Sequence, residues 1–127
     1  MTSVFILLIA FQLKHFLCDF PLQGKYMLGK FSRDPLVWSP ALTAHAAVHW
    51  FGTSLIVYMF TVRVDVAFLV GACDFAVHFV VDRIKASPNL LGRWKPDNKF
   101  FWWALGADQA AHHLTHYAII AYLLGVL

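Results

Sequence analysis

The sequence predicts an all-α protein, an integral membrane bundle of four helices, on three observations. First, 60% of the 127 residues are hydrophobic and 13% charged, far too apolar for an ordinary soluble domain. Second, four apolar stretches of about 20 residues, the length that crosses a bilayer, take up the chain and leave a single transmembrane domain over residues 1–127. Third, every stretch carries His and Asp at intervals of four. On a helix four residues advance about 400° and 6 Å, so each set stacks along one stripe.

The first helix is expected over residues 3–20, stopped by Pro21. Val4 to Phe11 is purely apolar, and Gln12, Lys14, His15 and Asp19 crowd into the last two turns. A signal peptide is the competing reading, but a basic start and a small-residue cleavage site are missing, so the segment is read as mature structure. Residues 22–38 interleave Lys25, Lys30 and Arg33 with Tyr26, Met27, Leu28 and Phe31. They read equally as a short interfacial helix or an ordered loop.

Helix two is expected over 39–62, with Ser39 as N-cap and Pro40 at the first helical position. It carries His45 and His49 in its first three turns. Arg63-Val64-Asp65 turns the chain into helix three, over 65–86, with Asp74, His78 and Asp82 on one stripe. After a polar, basic loop, Phe100-Phe101-Trp102-Trp103 marks the return to the membrane at the headgroup level. Helix four follows over 100–127 with Asp108, His112 and His116, and a distortion or a later start is expected near Gly106.

Orientation follows from the basic residues. Lys14, Lys25, Lys30, Arg33, Arg83, Lys85, Arg93, Lys95 and Lys99 fall on one face, and Arg63 alone on the other. The positive-inside rule makes the first face cytoplasmic and points both termini outward, across an inner (cytoplasmic) membrane. Odd and even helices then run in opposite directions and need their polar residues at opposite ends. Helices one and three carry them near their C-termini, two and four near their N-termini, so all four stripes converge in the cytoplasmic half of the bilayer.

Ten residues thus meet: His15, Asp19, His45, His49, Asp74, His78, Asp82, Asp108, His112 and His116. Ionisable groups at membrane depth cost roughly 3 kcal/mol each and persist where they pair, face a cavity or bind ions. Imidazole with carboxylate suits zinc first, with manganese or iron as alternatives. All seven acidic residues are Asp. Two divalent ions would neutralise the four in the stripes, and the lack of Glu excludes a zinc-protease HExxH motif. Asp82 or Asp108 is then the candidate general base, and Lys85 a cation for a phosphate at the cytoplasmic mouth. Gln12, Gln109, Thr43 and Thr115 are candidates to orient the imidazoles, whereas His113 points about 100° away from His112. Cys18 and Cys73 read as small buried residues rather than a disulfide. The remaining basic excess belongs to loops, which argues against a nucleic-acid partner.

The motifs HFLCDF, HAAVH, DFAVHFVVDRIK and DQAAHHLTH, in this order, resemble a family of small bacterial and phage membrane proteins catalogued as a domain of unknown function. The HxxxDF opening is also similar, over a shorter stretch, to membrane-bound metal-dependent hydrolases. The resemblance implies a four-helix membrane protein with metal ligands at His15, Asp19, His45, His49, Asp74, His78, Asp82, Asp108 and His112, and supplies no substrate.

The expected function is a dinuclear metal-dependent hydrolase acting on a lipid or isoprenoid phosphoester, or a similar amphiphile, at the cytoplasmic leaflet. The alternatives are a divalent-metal or proton transporter or channel, a haem-binding electron carrier, and a structural protein stabilised by its metals. The dry outer half of the bundle argues against transport, and the four carboxylates argue against haem. Four short helices also leave a homodimer open.

Overall fold

Helix ends in this chain are set by proline and by side-chain caps, and they place the polar residues. The computed structural model describes residues 2–125. Its long helices are α1 (Thr2–Asp19), α2 (Pro35–Thr61), α3 (Val64–Ala86) and α4 (Lys99–Leu123), with short 3₁₀ helices over Lys25–Phe31 and Leu91–Arg93. No strand occurs among the described residues. The expected α4 end at residue 127 lies outside them.

α2 begins earlier than the Ser39-Pro40 pair suggests. The Asp34 carboxylate accepts from Leu36 N at 2.9 Å, and Pro35 takes the first helical position. Two cap-proline pairs compete here, and the upstream one wins because Pro40, close to the helix start, removes only one intrahelical bond. α4 likewise starts at Lys99, where the Asn98 side chain accepts from Phe100 N, and it runs through Gly106 without a break. The segment between α1 and α2 resolves into the 3₁₀ helix followed by the first turn of α2.

A short turn joins α2 to α3. Val62 closes α2 in the left-handed region at φ 56° with its N–H on Tyr58 O at 2.7 Å, and Arg63 pairs with Asp65 at 2.6 Å. That pair is fully in solvent. The Asp65 carboxylate, by hydrogen bond and charge, raises the already high pKa of Arg63. α2 and α3 pack closely at Gly71, where a Cβ would stand 2.8 Å from the Trp50 ring. Small residues let helices approach in this way.

The interior is divided lengthwise. Leu7, Phe11, Val57, Ala67, Val70, Ile119 and Ile120 form one apolar cluster. Beyond it, every His of the stripes and Asp74, Asp82 and Asp108 are buried. The outward faces are the apolar ones, with Phe5 and Ile9 on α1, Phe51 and Met59 on α2, Phe68 and Leu69 on α3, and Trp103 and Leu114 on α4 all exposed. By length and composition, Thr2–Asp19 and Val64–Arg93 are apolar enough to cross a membrane. α2 and α4 are long enough, at 27 and 25 residues, but carry five of the seven histidines and fall short on hydropathy.

Candidate metal centre

The four-residue spacing stacks each stripe inward, and all ten sequence-predicted residues meet at the bundle axis. Nine are buried, and the Asp19 side chain retains 18% exposure. The imidazoles form a continuous cluster of stacked, tilted and edge-on rings. Ring centroids lie 3.7 Å apart for His49 and His78, 4.1 Å for His78 and His112, and 5.4 Å for His15 and His116. Phe11 covers His116 from the apolar side at 5.1 Å.

Hydrogen bonds fix the ring tautomers. His78 Nδ1 donates to the Asp74 carbonyl at 3.0 Å and His112 Nδ1 to the Asp108 carbonyl at 2.9 Å, each one turn back on its own helix. In the neutral form of both rings Nε2 is therefore the nitrogen without a proton, and it is buried. These two atoms, His15 Nδ1 and His116 Nε2 are all buried without a hydrogen-bond partner. Asp74 Oδ1 also lacks a hydrogen bond: His78 Nδ1, 3.3 Å away, spends its proton on the Asp74 carbonyl, and His116 Nε2 stands at 3.7 Å. Orphaned polar atoms in a dry interior are costly unless something else satisfies them.

Two parts of the cluster differ in character. In the deeper part, one atom each from His15, His78 and His116 lie within 4.8 Å of one another, and the same holds for His49, Asp74 and His78. Tetrahedral zinc ligands at about 2.1 Å stand about 3.4 Å apart, so small side-chain shifts would close the His15, His78 and His116 set on an ion. In the outer part, Asp82, Asp108 and His112 form a comparable group, with His45 Nε2 3.0 Å from Asp82 Oδ2. Asp19 sits between the two parts, 3.0 Å from His49 and 3.2 Å from His15.

Lysines enter this core, against the expectation for two of them. Lys14 and Lys30 were assigned to the basic face, yet each is 6% exposed. Lys14 Nζ donates to Asp74 Oδ2 at 2.7 Å and to His49 Nδ1 at 3.2 Å. Because an ammonium only donates, His49 must carry its proton on Nε2 and give it to Asp19, which commits both of its nitrogens to protein partners. Lys30 Nζ binds Asp82 Oδ2 at 2.9 Å, and Lys85 Nζ binds Asp108 Oδ2 at 3.0 Å. Burial is the reason for the difference. These aliphatic stems cross apolar surface and set their charges on carboxylates that would otherwise stand unpaired.

Thr53 was also missed as a partner. It is fully buried and donates to Asp74 Oδ2 at 2.7 Å. Of the four side chains expected to orient imidazoles, Gln109 does so, its Oε1 standing 3.2 Å from His15 Nε2. Gln12 is exposed, and Thr43 and Thr115 donate to carbonyls of their own helices. His113 is half-buried beside the cluster, 5.4 Å from the His15 ring. Cys18 is buried and Cys73 exposed, and both are free thiols.

The cluster opens on one side. A cavity of about 330 Å³ is lined by Asp19, Lys30, Asp82, Lys85, Asp108 and Gln109 together with Gln23, Phe20, Phe31 and Leu105. Asp108 borders this cavity; Lys85 and Gln109 hold its Oδ2, and its buried Oδ1 has no hydrogen-bond partner.

Comparison with known proteins gives one match. Residues 6–127 match the family described as protein of unknown function (DUF3307), and the chain belongs to that family. No curated protein and no solved structure matches it.

Proposed function

We propose that this member of the DUF3307 family is an integral membrane, metal-dependent hydrolase that cleaves a phosphoester of an amphiphile at the cytoplasmic leaflet. The observation that carries the reading is that His15, His78 and His116 each hold a buried ring nitrogen with no hydrogen-bond partner and bring one ligand atom apiece within 4.8 Å of one another, with Asp74 Oδ1 3.7 Å from His116 Nε2. Three imidazoles with a carboxylate at the edge and one coordination position to spare suit a catalytic zinc site.

Charge favours one ion over the two expected from the carboxylates alone. Lys14, Lys30 and Lys85 already offset three of the four Asp charges, so one divalent cation with one bound anion brings the cluster to neutrality. The outer group is the weaker ligand set, since each of its carboxylates already holds a lysine. An ion in the deeper group would polarise a phosphoester oxygen and acidify a water. Asp108, which borders the cavity and has one oxygen without a partner, is the residue we assign to accept the proton from that water, and Lys85 the one to meet the phosphate.

The apolar outward surface supports four membrane crossings, α2 and α4 turning their histidines inward and their Phe, Met, Leu and Trp toward lipid. Loss of Lys14 and Lys30 from the basic face leaves Lys25, Arg33, Arg83, Lys85, Arg93, Lys95 and Lys99 against Arg63, so the orientation argument keeps its direction. The dry cluster from Leu7 to Ile120 supports a pocket closed on one side over a transport path.

The test is phosphate release from long-chain phosphomonoesters by zinc-loaded protein in nanodiscs. Activity should fall by 10²-fold or more in Asp108→Asn, roughly the contribution of a general base, with metal content unchanged. An Asp108→Asn variant as active as wild type would remove Asp108 from the chemistry, and no release from any phosphoester would contradict the hydrolase reading.

A further inference from the structure

An apolar groove lies next to the polar cavity. It lies between the first turns of α4 and the loop that follows α3, encloses about 240 Å³, and is walled by Leu91, Trp94, Phe101, Ala104 and Leu105. Phe31, Lys85 and Leu105 line both spaces, so the groove and the cavity adjoin along these three side chains. Lys95 also borders it.

The loop is held in place to form this wall. Gly92 N donates to Ser87 O at 3.0 Å, and a Cβ at residue 92 would stand 2.5 Å from the Ala86 carbonyl oxygen, an approach that only glycine permits. Trp102 Nε1 donates to Pro96 O at 2.9 Å and ties the far end of the loop to α4.

We propose that the groove holds the hydrocarbon chain of the substrate, with its anionic head in the polar cavity between Lys30 and Lys85, which makes the substrate a single-chain amphiphile carrying a phosphate-type head. Each ammonium has three N–H donors and one carboxylate partner, so both retain donors for phosphate oxygens. The volume is small beside the range of about 300–1,000 Å³ typical of ligand pockets, and it fits a segment of one chain rather than two. Asp82 and Asp108 on the same cavity are paired with these two lysines, and Asp19, 3.2 Å from His15, would repel an anion unless the ion of the deeper group offsets its charge. The proposal therefore rests on the metal-hydrolase reading.

Methyl, butyl and octyl phosphate, titrated calorimetrically into zinc-loaded protein in phosphatidylcholine nanodiscs, separate the two ideas. Affinity should rise about two- to fourfold per methylene in wild type. Ala104→Trp, which fills the groove, should reduce that slope to the residual set by partition into lipid, while methyl phosphate affinity and zinc content stay at wild-type values. Leu91→Trp, from the opposite wall, should do the same and serves if the first variant does not fold. Equal slopes in wild type and either folded variant, or no slope in wild type, would overturn the groove assignment while leaving the hydrolase reading in place. Failure of methyl phosphate to bind the zinc-loaded protein at all would overturn both.

Discussion

Lys14 controls how much further positive charge the core can accept. Its ammonium lies on Asp74 at 2.7 Å in a fully dry setting, and removing one partner of such a pair leaves an uncompensated buried charge, at a cost of about 3 to 5 kcal/mol. Lys14→Met should therefore lower the unfolding temperature sharply in chelator. Added zinc should restore more stability to this variant than to wild type, because the cation takes over the vacated carboxylate oxygen. Equal responses to zinc in differential scanning calorimetry would mean that Lys14 and the metal do not compete for Asp74. Lys14 was legible in retrospect, since it falls on the buried stripe Leu7, Phe11, Lys14 and Cys18 at three- and four-residue steps. Thr53 carried a similar signal, extending the four-residue run His45, His49 to Val57. Lys30 carried none: its place is set by how the 3₁₀ helix docks against α2 beside the end of α3, a tertiary fact that no local period encodes.

At the scale of elements, the polar stripes were readable because burial at period four is a local property of a helix, and all ten stripe residues meet as the spacing requires. Boundaries were read less well where two local signals compete. Asp34-Pro35 and Ser39-Pro40 are both good start signals, and the choice depends on whether the helix can accommodate Pro40 within it. Asp34→Ala should cost about 1 kcal/mol, the usual worth of an N-cap, and Ser39→Ala only a few tenths. The reverse order in denaturant unfolding would move the start of α2 back to residue 39. The turn between α2 and α3 offers a gain instead. Val62 is exposed and β-branched at φ 56°, a conformation that disfavours L-residues by roughly 1 to 2 kcal/mol, so Val62→Gly should stabilise the protein by about 1 kcal/mol.

Over the whole molecule the usual arrangement of a soluble domain is reversed. The ionisable groups are at the axis and the large apolar side chains outside, which is why composition alone indicated a membrane and why hydropathy alone picks out two stretches where four are proposed. The inward histidines of α2 and α4 dilute a signal that only their placement recovers. Single cysteines introduced at Asp97 and Arg63, in a background with Cys18 and Cys73 replaced, should label from opposite sides of the membrane, Asp97 from the cytoplasm. Labelling of both from one side would contradict the four-crossing arrangement. The central claim, that a metal ion completes the cluster, is tested most directly by elemental mass spectrometry of detergent-purified protein, comparing wild type with a His78→Ala, His116→Ala double variant. The account predicts about one equivalent of zinc, manganese or iron in wild type and none in the variant. Folded wild type that holds no metal, even after incubation with each of these ions, would contradict it.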